Sequence, residues 1–260
     1  MNKPFLRQQR ESGPDAFAFE NFLVTEVMRH HWLGGELSPT THYDDWISGV
    51  DAVAEWTNDA GEPIRLAVDF TSSEQMSTFL KKSDKLSANT QVKYLRSRIE
   101  IEQGKPKELR ASMPIVLLGF DKEVYRFIAE SDEPLHHEHP LRFLLLEQAC
   151  AQINLQLTLL VHKVFESQRA KRGKSVGRSQ EQYALLGNDY TVDQAIAHVN
   201  GLNKELLQII MNEKDQQRFK NLTQLKICLD KERADSQKIP LNDTWTAIAA
   251  QSITHQILSG

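Results

Sequence analysis

Two stretches decide the reading of this chain: GVDAVAEW, residues 49–56, and IRLAVDFT, residues 64–71. Each is short, rich in β-branched and apolar residues, and ends in turn formers, so each predicts a β-strand. Asn58 and Gly61 lie between them and predict a hairpin. Alternate residues of a strand share a face. If the chain turns about Ala60, Asp51 of the first strand stands opposite Asp69 of the second. Two like charges facing each other across a ladder repel, and partial burial adds to the cost. A divalent cation reverses that repulsion, and hard carboxylate oxygens suit magnesium. Bound there, such an ion polarises a phosphate and lowers the pKa of an attacking water.

Outward from the hairpin, the residues before it predict an amphipathic helix. Asp15 or Ser12 caps it, Phe19, Phe22, Leu23 and Val27 recur along one face, and Gly34 and Gly35 end it. ELSPTTHYDDW, residues 36–46, reads as a polar loop. After the hairpin, residues 72–86 read as a helix with Met76, Phe79 and Leu80 on its buried side. The basic stretch from Lys93 to Arg110 fits neither strand nor helix clearly. PIVLLGF, residues 114–120, reads as a strand buried on both faces, and a helix over residues 121–130 follows. From Pro140 onward only helices are expected: a long one to about Phe165, a loop over residues 167–182, then further helices over residues 191–232 and 242–258. The fold class is therefore mixed α/β, with an α/β part over residues 1–135 and an all-helical region over residues 136–260.

Composition sets the frame. The chain has 260 residues and a formal net charge of -4, so any contact with a polyanion must come from a local basic patch. Cys150 and Cys228 are the only cysteines, expected as reduced core thiols in a cytoplasmic protein. The N-terminus lacks the apolar segment of a signal peptide. The most apolar stretch, residues 141–165, is interrupted by polar residues and is not expected to span a membrane. Walker A, G-x-G-x-x-G, G-x-S-x-G and paired C-x-x-C motifs are all missing from the sequence.

A helix with a glutamate, a strand with an aspartate, a second strand with an aspartate and a further helix are expected here in order. AFENFLVTEVM carries Glu20, GVDAVAEW carries Asp51 and LAVDFT carries Asp69. Over roughly residues 15–130 this resembles the PD-(D/E)xK nuclease superfamily, in particular its Holliday-junction-resolvase and RecB-nuclease type of core. The resemblance implies a restriction-endonuclease-like αβββαβ-type core, with PIVLLGF as its next strand. It also implies Mg2+- or Mn2+-dependent cleavage of DNA. Asp51 and Asp69 would hold the metal, and Glu20 would assist through the metal or its water. The family lysine, which positions the water and offsets developing charge, falls on Thr71. Lys81, Lys82 and Lys85 lie on the following predicted helix. Lys82 borders its apolar face and is the preferred substitute.

Basic residues stand where nucleic acid would need them. Lys81, Lys85, Lys93, Arg96 and Arg98 follow the site, and Arg169, Lys171, Arg172, Lys174 and Arg178 fill the central loop. Such side chains bind phosphates without reading sequence. DNA is thus the expected partner, and a homodimer is compatible with the family. Minor candidates are Glu26 as the helix carboxylate, Glu55 as a further metal contact, and Asp44 or Asp45 lining the cleft. His136, His137 and His139 are candidates for zinc, and His30 for favouring a helix C-terminus. Two alternatives stand beside the nuclease: a catalytically inactive nucleic-acid-binding relative, and an α-helical interaction protein whose aspartates are structural.

Overall fold

A computed structural model describes residues 14–72, 86, 89–104, 109–120, 122–130, 135–172, 191–202, 208 and 211–248. Helix α1 spans Pro14–His30 and buries Leu23 and Val27. It ends before the two glycines expected to stop it. His31 adopts a left-handed conformation (φ 49°), and the Trp32 N–H donates to the Val27 carbonyl at 3.2 Å, closing the last turn. The segment expected to be a polar loop holds two elements instead, strand β1 (Glu36–Pro39) and helix α2 (His42–Ser48). The Thr41 side chain caps α2, and Gly49, left-handed at φ 57°, ends it.

Strands β2 (Ala52–Thr57) and β3 (Pro63–Ser72) form the expected antiparallel hairpin, with Ala54 opposite Leu66. The Asn58 side chain organises its turn by accepting from the N–H groups of Ala60 and Glu62 at 3.0 and 2.8 Å. Three elements resolve the ambiguous basic stretch: β4 (Thr90–Leu95), α3 (Arg98–Glu102) and β5 (Leu109–Met113). β4 and β5 pair as a separate antiparallel hairpin. Strand β6 (Ile115–Phe120) and helix α4 (Lys122–Glu130) follow as the apolar pattern predicts.

The main sheet is mixed, in the order β1-β2-β3-β6. The first three strands are antiparallel, and β6 runs parallel to β3 with Asp69 opposite Leu117. Strand alternation splits its side chains between two cores. Ala52, Ala54, Leu66, Val68, Phe70, Val116 and Leu118 join the larger one, with α1 and the later helices. Val53, Ala67, Ile115 and Leu117 face the other way and pack against Val92, Leu95 and Met113 of the β4–β5 hairpin. At Gly119 the two parallel strands come so close that a Cβ would sit 1.8 Å from the Thr71 carbonyl oxygen, so only glycine fits.

Helix α5 runs from Pro140 to Arg172, about two turns beyond its expected end, and takes up the first part of the anticipated loop. By length and composition Pro140–Lys163 could cross a membrane, contrary to the expectation for this stretch, but 67% of its most apolar window is buried inside the fold. Several of the polar residues that interrupt it are buried too. Gln148, Gln152 and Gln156 recur every fourth residue and face the outer edge of β6. Gln152 donates to the Leu117 carbonyl at 2.6 Å and accepts from its N–H at 2.8 Å. Gln148 makes the same pair of bonds with Gly119 at 2.9 and 3.0 Å, and Gln156 donates to the Ile115 carbonyl at 2.8 Å. Four helical residues rise about 6 Å and two strand residues about 6.6 Å, so the two repeats nearly match.

Helix α6 (Val192–Gly201) starts at a capping box of Thr191 and Gln194. Helix α7 (Glu213–Ser236), capped by Asn212, lies antiparallel to α5, with Lys163 bonded to Asp215 at one end and Arg142 to Glu232 at the other. These helices share one apolar cluster with the sheet and α1, on both sides of residue 135. Cys150 and Cys228 are free, and burial pushes the Cys150 thiol up to about 12.

Candidate active site

The site forms where the β2–β3 hairpin meets the loop from α2. Asp51 lies one residue before β2 rather than inside it, because the ladder slips there. Its N–H donates to the Val68 carbonyl at 2.9 Å, although Val68 is paired with Ala52. The Thr40 N–H donates to its carbonyl at 2.9 Å. Its Oδ2 accepts from the Phe70 N–H at 2.5 Å, filling the place that a backbone carbonyl would take if β2 continued.

Asp69 sits inside β3, on the face of Ala67 and Thr71, and is buried. Both aspartates therefore lie at the end of the hairpin, Asp51 just outside the ladder and Asp69 within it. The consequence is electrostatic. Burial pushes the Asp51 carboxyl well above the ordinary carboxylate range, and the charge of Asp69 pushes it the same way. The Phe70 N–H opposes them. Glu20 from α1 and Asp45 from α2 add smaller upward pushes. Three acidic side chains from three elements thus act on Asp51. Each is half-buried or exposed except Asp69.

Chemically, this site offers carboxylate oxygens whose mutual repulsion a hard cation relieves. No group of three or more histidine, cysteine or acidic side chains with metal-binding geometry occurs among the described residues. Among the described residues the site therefore offers the Asp51 and Asp69 carboxylates and not a closed cage. That donor set fits magnesium, which keeps several waters and commonly takes one or two carboxylates together with substrate phosphates.

The other sequence candidates are distributed as follows. Lys81, Lys82, Lys85 and Lys174 lie outside the described residues. Arg96 is exposed just after β4. Arg169, Lys171 and Arg172 belong to the last turns of α5 rather than to a loop. Thr71 stays in β3 opposite Gly119, two residues past Asp69. Glu26 is not at the site: it pairs with Arg29 at 2.6 Å and His30 at 3.3 Å along its own helix. Glu55 is not a metal contact either. Its buried carboxylate meets the Arg65 Nε at 2.9 Å, and Arg65 also bonds Glu100.

Asp44 does not line the cleft. Wholly buried, it accepts the N–H groups of Lys93 and Tyr94 at 2.7 and 3.0 Å and so fastens α2 to β4. Carboxylate-to-backbone bonds of this kind leave no mark in a sequence. Of the three histidines, His136 and His137 are exposed, and His139 serves packing. His139 lies between the indoles of Trp32 and Trp245, with ring centroids 6.0 and 5.1 Å away, and its Nδ1 accepts from the Leu141 N–H. Burial, then His136 and His30, lower its pKa to about 4. His30 stacks on the other side of Trp32.

A cleft of about 520 Å³ opens at the opposite end of the hairpin, among Gly35, Trp56, Ile99 and Cys228. Glu20, Asp51 and Asp69 take no part in it. Comparison of the chain with protein-family models gives no match, and comparison with curated proteins and with solved structures gives none either.

Proposed function

We propose that this chain is a metal-dependent nuclease that cleaves DNA phosphodiester bonds, with a restriction-endonuclease-like core. The observation that carries the reading is the placement of Asp51 and Asp69 at the end of one hairpin, where burial and then the Asp69 charge raise the Asp51 carboxyl. The strand arrangement supports it. A mixed sheet follows α1, with β2 and β3 antiparallel and β6 parallel to β3; α2 lies between β1 and β2, and the β4–β5 hairpin precedes β6.

Asp51 and Asp69 would hold Mg2+ or Mn2+, which when bound supplies charge for the scissile phosphate and for the attacking water. Glu20 would orient that water. Lys82 would take the role of the family lysine, since Thr71 carries no charge. Arg96 and the basic end of α5 would hold the phosphate backbone. The neutral Thr71 also favours a second reading, a nucleic-acid-binding relative that does not cut.

The test uses the full chain with magnesium on linear, branched and single-stranded DNA. Cutting should appear with metal, stop with chelator, and disappear in Asp69→Asn while that variant stays folded. Activity that survives both chelator and Asp69→Asn would refute the assignment. Binding with no cutting of any substrate selects the second reading.

A further inference from the structure

Resting on the nucleic-acid reading above, we propose that α2 and β4 form a stacking platform for unpaired nucleotides. Tyr43 and Ile47 of α2 are 44% and 61% exposed, and Trp46 is 40% exposed. So much apolar surface on a helix of seven residues is not explained by packing. Tyr43 meets Tyr94 of β4 edge-to-face at 5.4 Å. The Lys93 ammonium lies 4.7 Å from the Tyr43 ring centre and 5.1 Å from that of Tyr94.

The patch is built rather than incidental. Asp44, between the exposed aromatics, is buried and bonds the backbone of both Lys93 and Tyr94. The Ser48 hydroxyl adds a bond to the Gln91 carbonyl at 2.8 Å. The two aromatic-bearing segments are thereby fixed to each other. From α2 the chain reaches Asp51 through Gly49 and Val50.

The chemistry of the patch selects its occupant. The centre of a protein interface is depleted of charge. Here a lysine sits among the rings, which suits a ligand presenting flat faces and phosphates together. Single-stranded nucleic acid is bound in this way, by bases on aromatic side chains and phosphates on cations. A duplex keeps its bases stacked on one another and offers the rings nothing.

The experiment measures fluorescence anisotropy of labelled oligodeoxythymidine and of a duplex of equal length. Chelator is present, so that no strand is cut. Tyr43→Ala should weaken single-strand binding about fivefold or more and leave duplex binding unchanged, whereas Tyr43→Phe should bind like the parent. Lys93→Gln should flatten the salt dependence for the single strand by about 0.7 in logarithmic slope. Tyr43 is exposed, and a circular dichroism spectrum confirms that its variants fold. The proposal is overturned by equal effects on both probes, by no effect of Tyr43→Ala, or by a parent protein that binds neither probe, which would leave the patch to a protein partner. If the single-strand pattern holds but metal gives no cutting, the platform stands and the nuclease reading falls. Cutting that is indifferent to Tyr43→Ala, with no single-strand preference, gives the reverse.

Discussion

Replacing Gln152 by methionine tests whether the glutamine row of α5 holds the sheet or merely accompanies it. Methionine keeps the unbranched shape and nearly the volume, so little cavity is made and the amide alone is lost. Two buried groups of Leu117 then lose their partners: the N–H, bonded at 2.8 Å, and the carbonyl, bonded at 2.6 Å. Leu117 and Gln152 are 1% and 5% exposed, so water does not replace the amide. An unsatisfied buried backbone group costs about 1–3 kcal/mol, and two would cost about 2–6. Sparing the Gln152 amide its own burial returns part of this, leaving a net loss of about 3 kcal/mol. With an m-value of about 3 kcal/mol/M in urea, the midpoint should fall by about 1 M. Exchanging the exposed Leu155 for glutamine on the same helix should change stability by less than about 0.5 kcal/mol. Urea titrations followed by circular dichroism and tryptophan fluorescence would measure both. A Gln152→Met midpoint within error of the parent, at unchanged m, would show that the edge of β6 is satisfied some other way.

Three further outcomes follow from the site and its frame. The Asp51 carboxyl has its pKa raised on folding, so its contribution to stability is full below about pH 4 and is lost as pH rises through the folded value. Asp51→Asn should therefore raise Tm near pH 8 without metal and abolish the gain that magnesium gives the parent, about 2.7 kcal/mol at a hundredfold excess over Kd. A magnesium-induced shift that persists in Asp51→Asn would place the ion elsewhere. His139 has the opposite sign. Its pKa falls from 6.5 to about 4 on folding, so acidification between those values should cost about 3 kcal/mol, and His139→Gln should remove that part of the pH profile. Gly119→Ala drives a methyl group into the Thr71 carbonyl and should cost more than about 3 kcal/mol, seen as a lowered Tm; an unchanged Tm would mean that the two strands can part.

The hairpin was legible because its evidence is local. β2 and β3 are short and rich in apolar and β-branched residues, and Asn58 and Gly61 announce the turn. β1 was not legible, since four residues ending in Pro39 give no period to detect and owe their strand form to pairing with β2. The last turns of α5 were hidden by a run of basic residues whose composition reads as loop. Asp51 was recognised by its chemistry, but its position just outside β2 depends on a bond to Phe70 that spacing does not encode. The roles of Asp44, Glu55 and His139 were misread for a common reason. Each is a polar group whose partner is backbone, an arginine across the ladder, or an indole far along the chain. Gln148, Gln152 and Gln156 looked like interruptions of an apolar helix, because a sequence does not show which strand edge lies opposite.

The parallel pairing of β3 with β6 has a kinetic consequence. The β2–β3 hairpin closes over a short turn, so Asp51 and Asp69 can meet early in folding, at little cost in chain entropy. β6 joins them only after the intervening residues 73–114 are gathered in, with their own hairpin, and long-range parallel pairing is slow. Until then both edges of an uninterrupted apolar strand are open to any other extended chain. Once it docks on β3, one edge remains, and the amides of α5 close it by imitating the backbone of a fifth strand. The region most at risk of misassembly during synthesis is therefore residues 115–120, and it stays so until helix α5 has been made.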